Sequence, residues 1–313
     1  MVLDVGVSNL YETGLLGIVS KNSSVYLYYT EAVQDGEKPI ANNIYKYKWI
    51  DNKLQDPILL KSLPAYPDAI MHHGGAMTVG KDGTVYAVIG DQDNQDFPRG
   101  ANILQNQFGP PDDTGVILPI EPTGPYYAIG IRNSFGITID PLTGKLWITE
   151  NGPDQYDEIN LVLEKSNLGW AKHMGSINEE STSIIPGYEE YVYKNPEFSW
   201  ELPVAPTALE FVDSNMFQKY KNWLFVADSI NGNIYKFRLN SDRTGFMFDQ
   251  PHLQDNVLNI VDEPGNNLVE SMDEILFGKN FGIISDIEFG PDGALYVISL
   301  SEGTIYKIIS NVR

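Results

Sequence analysis

The stretch Gly74–Gly90, GGAMTVGKDGTVYAVIG, reads as a strand, a tight turn and a second strand. Apolar and aromatic residues run on either side of Lys81-Asp82-Gly83-Thr84, and the Asp-Gly pair supplies the positive φ that a hairpin turn needs. The same unit is written again as GLLGIVSKNSSVYLYYT (14–30), FGITIDPLTGKLWITE (135–150), ALEFVDSNMFQKYKNWLFVADSINGNIYKF (208–237) and IEFGPDGALYVISLSEGTIYKI (287–308). Leu142-Thr143-Gly144-Lys145, Asn231-Gly232-Asn233 and Pro291-Asp292-Gly293-Ala294 make the corresponding turns. The second strands are expected to begin near Val25, Val85, Leu146, Leu224 and Leu295, a spacing of roughly 60–80 residues that suits an array of repeated units. Hardly any segment carries a sustained 3.6-residue period, so helix should be scarce. A small sheet repeated at this length fits a β-propeller blade, whereas a β-sandwich rarely repeats one unit so often. Blades are expected to start near Leu15, Gly75, Phe135, Thr207 and Ser285. With no Ser/Gly-rich linker to divide it, the chain 1–313 is expected to be a single propeller domain.

Bulk composition narrows the function. Asp and Glu number 42 against 21 Lys and Arg, a net charge of −21. That balance argues against nucleic acid or an anionic membrane as partner, because both are gripped by clustered cations. There is no cysteine, which excludes disulfides, thiolate metal sites and cysteine nucleophiles. No apolar run reaches the roughly 18–20 residues of a membrane span. The opening MVLDVGVSNLYETGLLG lacks a basic n-region and does not read as a signal peptide.

The densest stretch is GIRNSFGITIDPLTGKLWITENGPDQYDEINLVLEKSNLGW, residues 130–170. An Arg-Asn pair, a D-P-x-T-G hairpin, E-x-G-P, D-E-I-N-L and N-x-G-W follow in order. This resembles the soluble quinoprotein glucose dehydrogenase and aldose sugar dehydrogenase family, the glucose/sorbosone dehydrogenases. His72-His73-Gly74-Gly75 resembles that family's H-x-G-G, and Gly14-Leu15-Leu16-Gly17 its G-L-L-G. The resemblance implies an all-β, six-bladed propeller. Family strands that precede G-L-L-G are missing here, so most of the first blade is expected to be absent and five blades to be recognisable. It also implies an extracytoplasmic or secreted protein, pyrroloquinoline quinone and calcium as cofactors, and an aldose and an electron acceptor as partners.

By the same resemblance His72 is the general base that takes the proton of the sugar's anomeric hydroxyl, a task suited to imidazole. Arg132 lies against the quinone and stabilises negative charge after hydride transfer, for which a planar, permanent cation is suited. Asn133, Glu12 and Asn231 fall at cofactor-binding positions. Gly74 and Gly75 would let a flat cofactor approach the backbone. His73 occupies the variable position of its motif, which suggests a surface or supporting role. The carbonyls of Gly152 and Pro153 are the expected calcium ligands, with Asp157 and Glu158 completing the metal set.

The chain departs from the family pattern where the cofactor's carboxylates are held. Asn231 stands where a lysine is expected, Ile283 and Ser285 where two arginines are, Ala76 where an arginine is common, and Glu12 where many relatives have glutamine. Two readings follow. One is an oxidoreductase that converts an aldose to its lactone. The other is a calcium-containing propeller that binds a sugar or a protein without redox chemistry.

Overall fold

The structure is a computed structural model that describes residues 1–65, 71–92, 113–178, 190–263 and 266–310. It is all-β, with 45% strand and 3% helix. No described helix is long and apolar enough to cross a membrane. The chain divides into two compact units, the first built from 1–134, 163–173 and 182–194, the second from 135–162, 174–181 and 195–313.

Two sheets form the first unit among the described residues. One is a four-stranded antiparallel meander of Leu15–Lys21, Ser24–Glu31, Ala41–Ile50 and Lys53–Pro64. The other runs from Gly74–Val79 through Val85–Ile89, Val116–Glu121, Ala128–Ile129 and Ser166–Asn167 to Val192–Tyr193. Their core joins Tyr26, Tyr28, Ile44 and Leu63 of the first sheet to Val85, Ala87, Ile89 and Leu118 of the second. At one point between the sheets, where Gly17 meets Gly75, there is no room for a side chain. A Cβ on Gly17 would fall 2.1 Å from the Gly75 carbonyl oxygen, and one on Gly75 would fall 2.4 Å from the Leu16 Cβ. The second glycine of G-L-L-G and the second of H-H-G-G therefore serve this contact between sheets. For Gly75 this corrects the expectation that its bareness admits a cofactor.

In the second unit, Leu146–Glu150 lies between Ile137–Ile139 and Asp157–Val162, and the sheet continues through Phe198–Trp200 to Val257–Leu258. A four-stranded sheet takes Pro206–Phe211, Leu224–Asp228, Ile234–Phe237 and Leu276–Gly278 in order, and a three-stranded one takes Ile284–Phe289, Leu295–Ser299 and Thr304–Ile308. Trp147, Phe198, Trp200, Phe211, Tyr235 and Phe237 fill the core. Phe198 meets Trp200 edge to face at 5.0 Å, an arrangement worth about 0.5–1.5 kcal/mol beyond the area it buries. Four of the five expected second strands start at the residues named from sequence, Val85, Leu146, Leu224 and Leu295, and the fifth starts at Ser24, one residue before Val25.

One strand residue carries a pH dependence. Glu210, on Pro206–Phe211, accepts a hydrogen bond from Thr138 Oγ1 at 3.2 Å. Burial, then repulsion from Glu288, Asp286 and Asp213, pushes its carboxyl up to about 8 against the Thr138 hydroxyl. A raised carboxyl favours the protonated fold. Its contribution is therefore complete below the ordinary glutamate range and is lost as pH climbs through about 8. Unfolding free energy should fall by about 2–4 kcal/mol between pH 5 and 9. Glu210→Gln should flatten that decline in denaturant titrations, and an unchanged slope would show that Glu210 does not cause it.

Candidate functional site

The site in the first unit is built at the ends of three segments that meet at Gly90. Gly74 pairs with Ile89 across the hairpin, so the residues preceding Gly74 lie beside those following Ile89. Gln92 N–H donates to the His72 carbonyl at 3.0 Å, and Asp91 N–H donates to the Arg132 carbonyl at 2.8 Å. A Cβ on Gly90 would fall 2.1 Å from the His72 oxygen and 3.0 Å from the Arg132 oxygen, so only glycine lets these segments converge. His72 itself adopts φ +57, a left-handed conformation that costs a non-glycine residue about 1–3 kcal/mol.

This backbone presents an Asp–His pair. His72 Nδ1 lies 2.8 Å from Asp91 Oδ1, and both residues are buried. An ionised carboxylate only accepts, so Nδ1 is the donor in this contact, and whenever the imidazole is neutral its lone pair is on Nε2. Asp91 Oδ2 accepts the indole N–H of Trp170 at 2.7 Å, which fixes the carboxylate in turn. The Arg132 guanidinium carbon stands 5.3 Å from the Trp170 ring centre. His72 and Arg132, expected to serve one reaction, are thus joined through Asp91 and Trp170.

Glu12 reaches the same place from the turn before Leu15–Lys21. Tyr11 takes φ +53 there, and Thr13 closes the turn by accepting Leu10 N–H on Oγ1 at 2.7 Å. The Glu12 carboxylate accepts the backbone N–H of His72 and the Asn133 side-chain amide, the latter at 3.2 and 3.4 Å. Burial raises the Glu12 carboxyl, while the His72 N–H, the Asn133 amide and the charges of His72 and Arg132 pull it back. His73 turns away. It is fully buried, with Nδ1 2.9 Å from the amide of Asn42, a supporting position rather than a surface one.

The other expected residues belong to the second unit. Asp157 holds a loop shut: Oδ1 accepts Gly152 N–H at 2.8 Å, and Oδ2 accepts Val204 and Ala205 N–H at 2.6 Å each. Glu158 accepts the Asn160 amide at 2.9 Å and Gly175 N–H at 2.5 Å, and burial pushes its carboxyl up to about 7. Pro153 is exposed. No group of three His, Asp or Glu side chains able to hold a metal occurs among the described residues. Asn231 is tied into a turn around Asp228, donating from its backbone at 2.7 Å and from its side chain at 3.4 Å.

Asp91 and Trp170 were not singled out from sequence. Counting the hairpin back from its turn sets Asp91 opposite His73; the register shift between Gly74 and Met77 brings it beside His72, and no local signal in the sequence announces that shift. For Trp170 the N-x-G-W motif was visible, but nothing local showed that its indole would meet Asp91, 79 residues earlier.

The chain belongs to the glucose/sorbosone dehydrogenase family, whose sequence model matches residues 5–307. It is 24% identical over 311 residues to the aldose sugar dehydrogenase YliI of Escherichia coli, covering 94% of this chain and 76% of that protein. The fold is shared with the apo form of the soluble aldose sugar dehydrogenase of E. coli, at TM-score 0.68 and 20% identity, covering 93% of this chain and 81% of that one. It is also shared with the quinone-bound aldose sugar dehydrogenase of Streptomyces coelicolor, at TM-score 0.64 and 20% identity, covering 94% and 76%.

Pyrroloquinoline quinone carries three carboxylates, which sets a test for these residues. The His72 group opposes one guanidinium, that of Arg132, to the two carboxylates of Glu12 and Asp91, and Asn133 aims its amide at Glu12. In the second unit, Asn231 is neutral and spent on Asp228, Ile283 is an exposed aliphatic, and Ser285 donates to the Ile298 carbonyl at 3.5 Å. Desolvating a trianion without cations costs several kcal/mol per charge. Among the described residues, neither the His72 group of the first unit nor, taken by themselves, the Asn231, Ile283 and Ser285 positions of the second supply the cations that the resemblance implies for that cofactor.

Proposed function

We propose that this chain is an aldose oxidoreductase on a single β-propeller of the six-bladed sugar dehydrogenase type, with five blades recognisable. The observation that carries the reading is the buried His72–Asp91 pair, fixed by Trp170 and flanked by Arg132. His72 Nε2 takes the proton of the anomeric hydroxyl, and Asp91 stabilises the imidazolium that forms. Arg132 places a fixed positive charge where the oxygen gains electron density. A bound two-electron acceptor would take the hydride that leaves C1, so that the C1–O bond becomes a carbonyl and the product is the lactone. We further propose calcium on the carbonyls of Gly152 and Pro153, with Asp157 and Glu158 lending negative charge.

The alternative, a sugar-binding propeller without redox chemistry, is favoured by the shortage of cations. Purified protein supplied with calcium, a panel of aldoses and both charged and uncharged quinones, followed by dye reduction, separates the two. Aldose-dependent reduction is expected. Sugar binding with no reduction by any acceptor would replace the oxidoreductase reading with the binding one.

A further inference from the structure

The placement of Glu12 bears on which ligands this site admits. Its carboxylate lies across the backbone N–H of His72 and the amide of Asn133, two donors that would otherwise greet an incoming acceptor or anion. The turn that delivers it is built for the purpose. Left-handed Tyr11 reverses the chain, and Gly14 receives Thr30 N–H at 2.9 Å to anchor the loop on the first sheet. Among the described residues Arg132 is the cation of the group; its guanidinium lies over Trp170, whose indole donates to Asp91, and its charge is felt at Glu12. An anion entering beside His72 therefore meets carboxylate oxygens, whereas a neutral polyol meets acceptors for its hydroxyls.

Resting on the reading of the His72 group as the ligand site, we propose that Glu12 is the charge filter of this site: it turns away anionic ligands, the tricarboxylate quinone included, and admits sugars and uncharged quinones. Two like charges about 5 Å apart, partly screened, change affinity by on the order of 10–100-fold. The barrier weakens as Glu12 gains a proton. Because its carboxyl is raised by burial, the weakening sets in at higher pH than for a solvated glutamate.

The test is equilibrium dialysis of pyrroloquinoline quinone against the full chain, read by quinone absorbance, for wild type, Glu12→Gln and Glu12→Ala. Both variants should bind it 10–100-fold more tightly than wild type at pH 8, with the gap closing toward pH 5. The second variant keeps the test sound if the first folds poorly, as judged by its melting curve. Equal affinity in all three proteins, tight or immeasurably weak, would overturn the proposal. Aldose oxidation with an uncharged quinone is scored separately. Its absence would remove the oxidoreductase reading while leaving the measured quinone affinities to decide the role of Glu12.

Discussion

Replacing His72 with alanine should lower aldose turnover by roughly 10²–10⁴, the range expected when a positioned general base is removed. The fold should survive, because the imidazole makes one described hydrogen bond, to Asp91, and the neighbouring sheet contact runs through Gly75. Asp91→Asn is the sharper probe, since it keeps the shape and loses the charge. An asparagine can offer its N–H to the ring, which moves the imidazole proton to the nitrogen that must act as base. Turnover should then fall by a factor in the same range while KM changes little, because Asp91 is a positioning residue that acts through His72. Trp170→Phe, which keeps a ring beside Arg132 but deletes the indole donor to Asp91, should cost less than either. Steady-state kinetics with matched melting curves decide the matter. A His72→Ala protein that keeps more than a tenth of wild-type turnover would show that the proton goes elsewhere.

What could be read from the sequence was what is local. Alternating and apolar runs around Asp-Gly and Thr-Gly turns gave strands at Val85–Ile89, Leu146–Glu150, Leu224–Asp228 and Leu295–Ser299, because hairpin chemistry and side-chain period are properties of adjacent residues. The linkage of His72 to Arg132 through Asp91 and Trp170 could be anticipated only in outline, through family resemblance. What stayed hidden depends on long-range convergence. Glu12 contacts His72 60 residues away and Asn133 121 residues away, and no periodicity encodes either contact. Gly75 shows how a correct signal can carry the wrong cause. Its lack of a side chain was visible, but the atoms that require it, on Leu16 and Tyr28, belong to a different sheet. The acidic run Asp154–Glu158 was equally visible, and only the structure distinguishes a carboxylate that is spent on the backbone from one open to a cation.

That distinction yields the largest expected effect on stability. Asp157 is 1% exposed and accepts three backbone N–H groups, from Gly152, Val204 and Ala205. Truncation to alanine strands those donors at about 1–3 kcal/mol each, reduced by local relaxation, so Asp157→Ala should destabilise the chain by about 3–6 kcal/mol. Asp157→Asn keeps one good acceptor oxygen and should cost roughly half as much. Calcium separates the two roles open to this residue. A loop-holding carboxylate is needed whether or not metal is present, so the loss should be nearly the same in chelator and in calcium. A metal-ligating carboxylate would show most of its loss only when calcium is added. For wild type, binding at the Gly152 and Pro153 carbonyls should raise stability with calcium concentration, by about 2.7 kcal/mol at a hundred times Kd. A wild-type protein whose unfolding ignores calcium would remove the metal proposal and leave Asp157 solely as the clasp of the loop after Glu150. A loss confined to calcium-loaded protein would instead make Asp157 a ligand, and the three short N–H contacts a feature of the metal-free state alone.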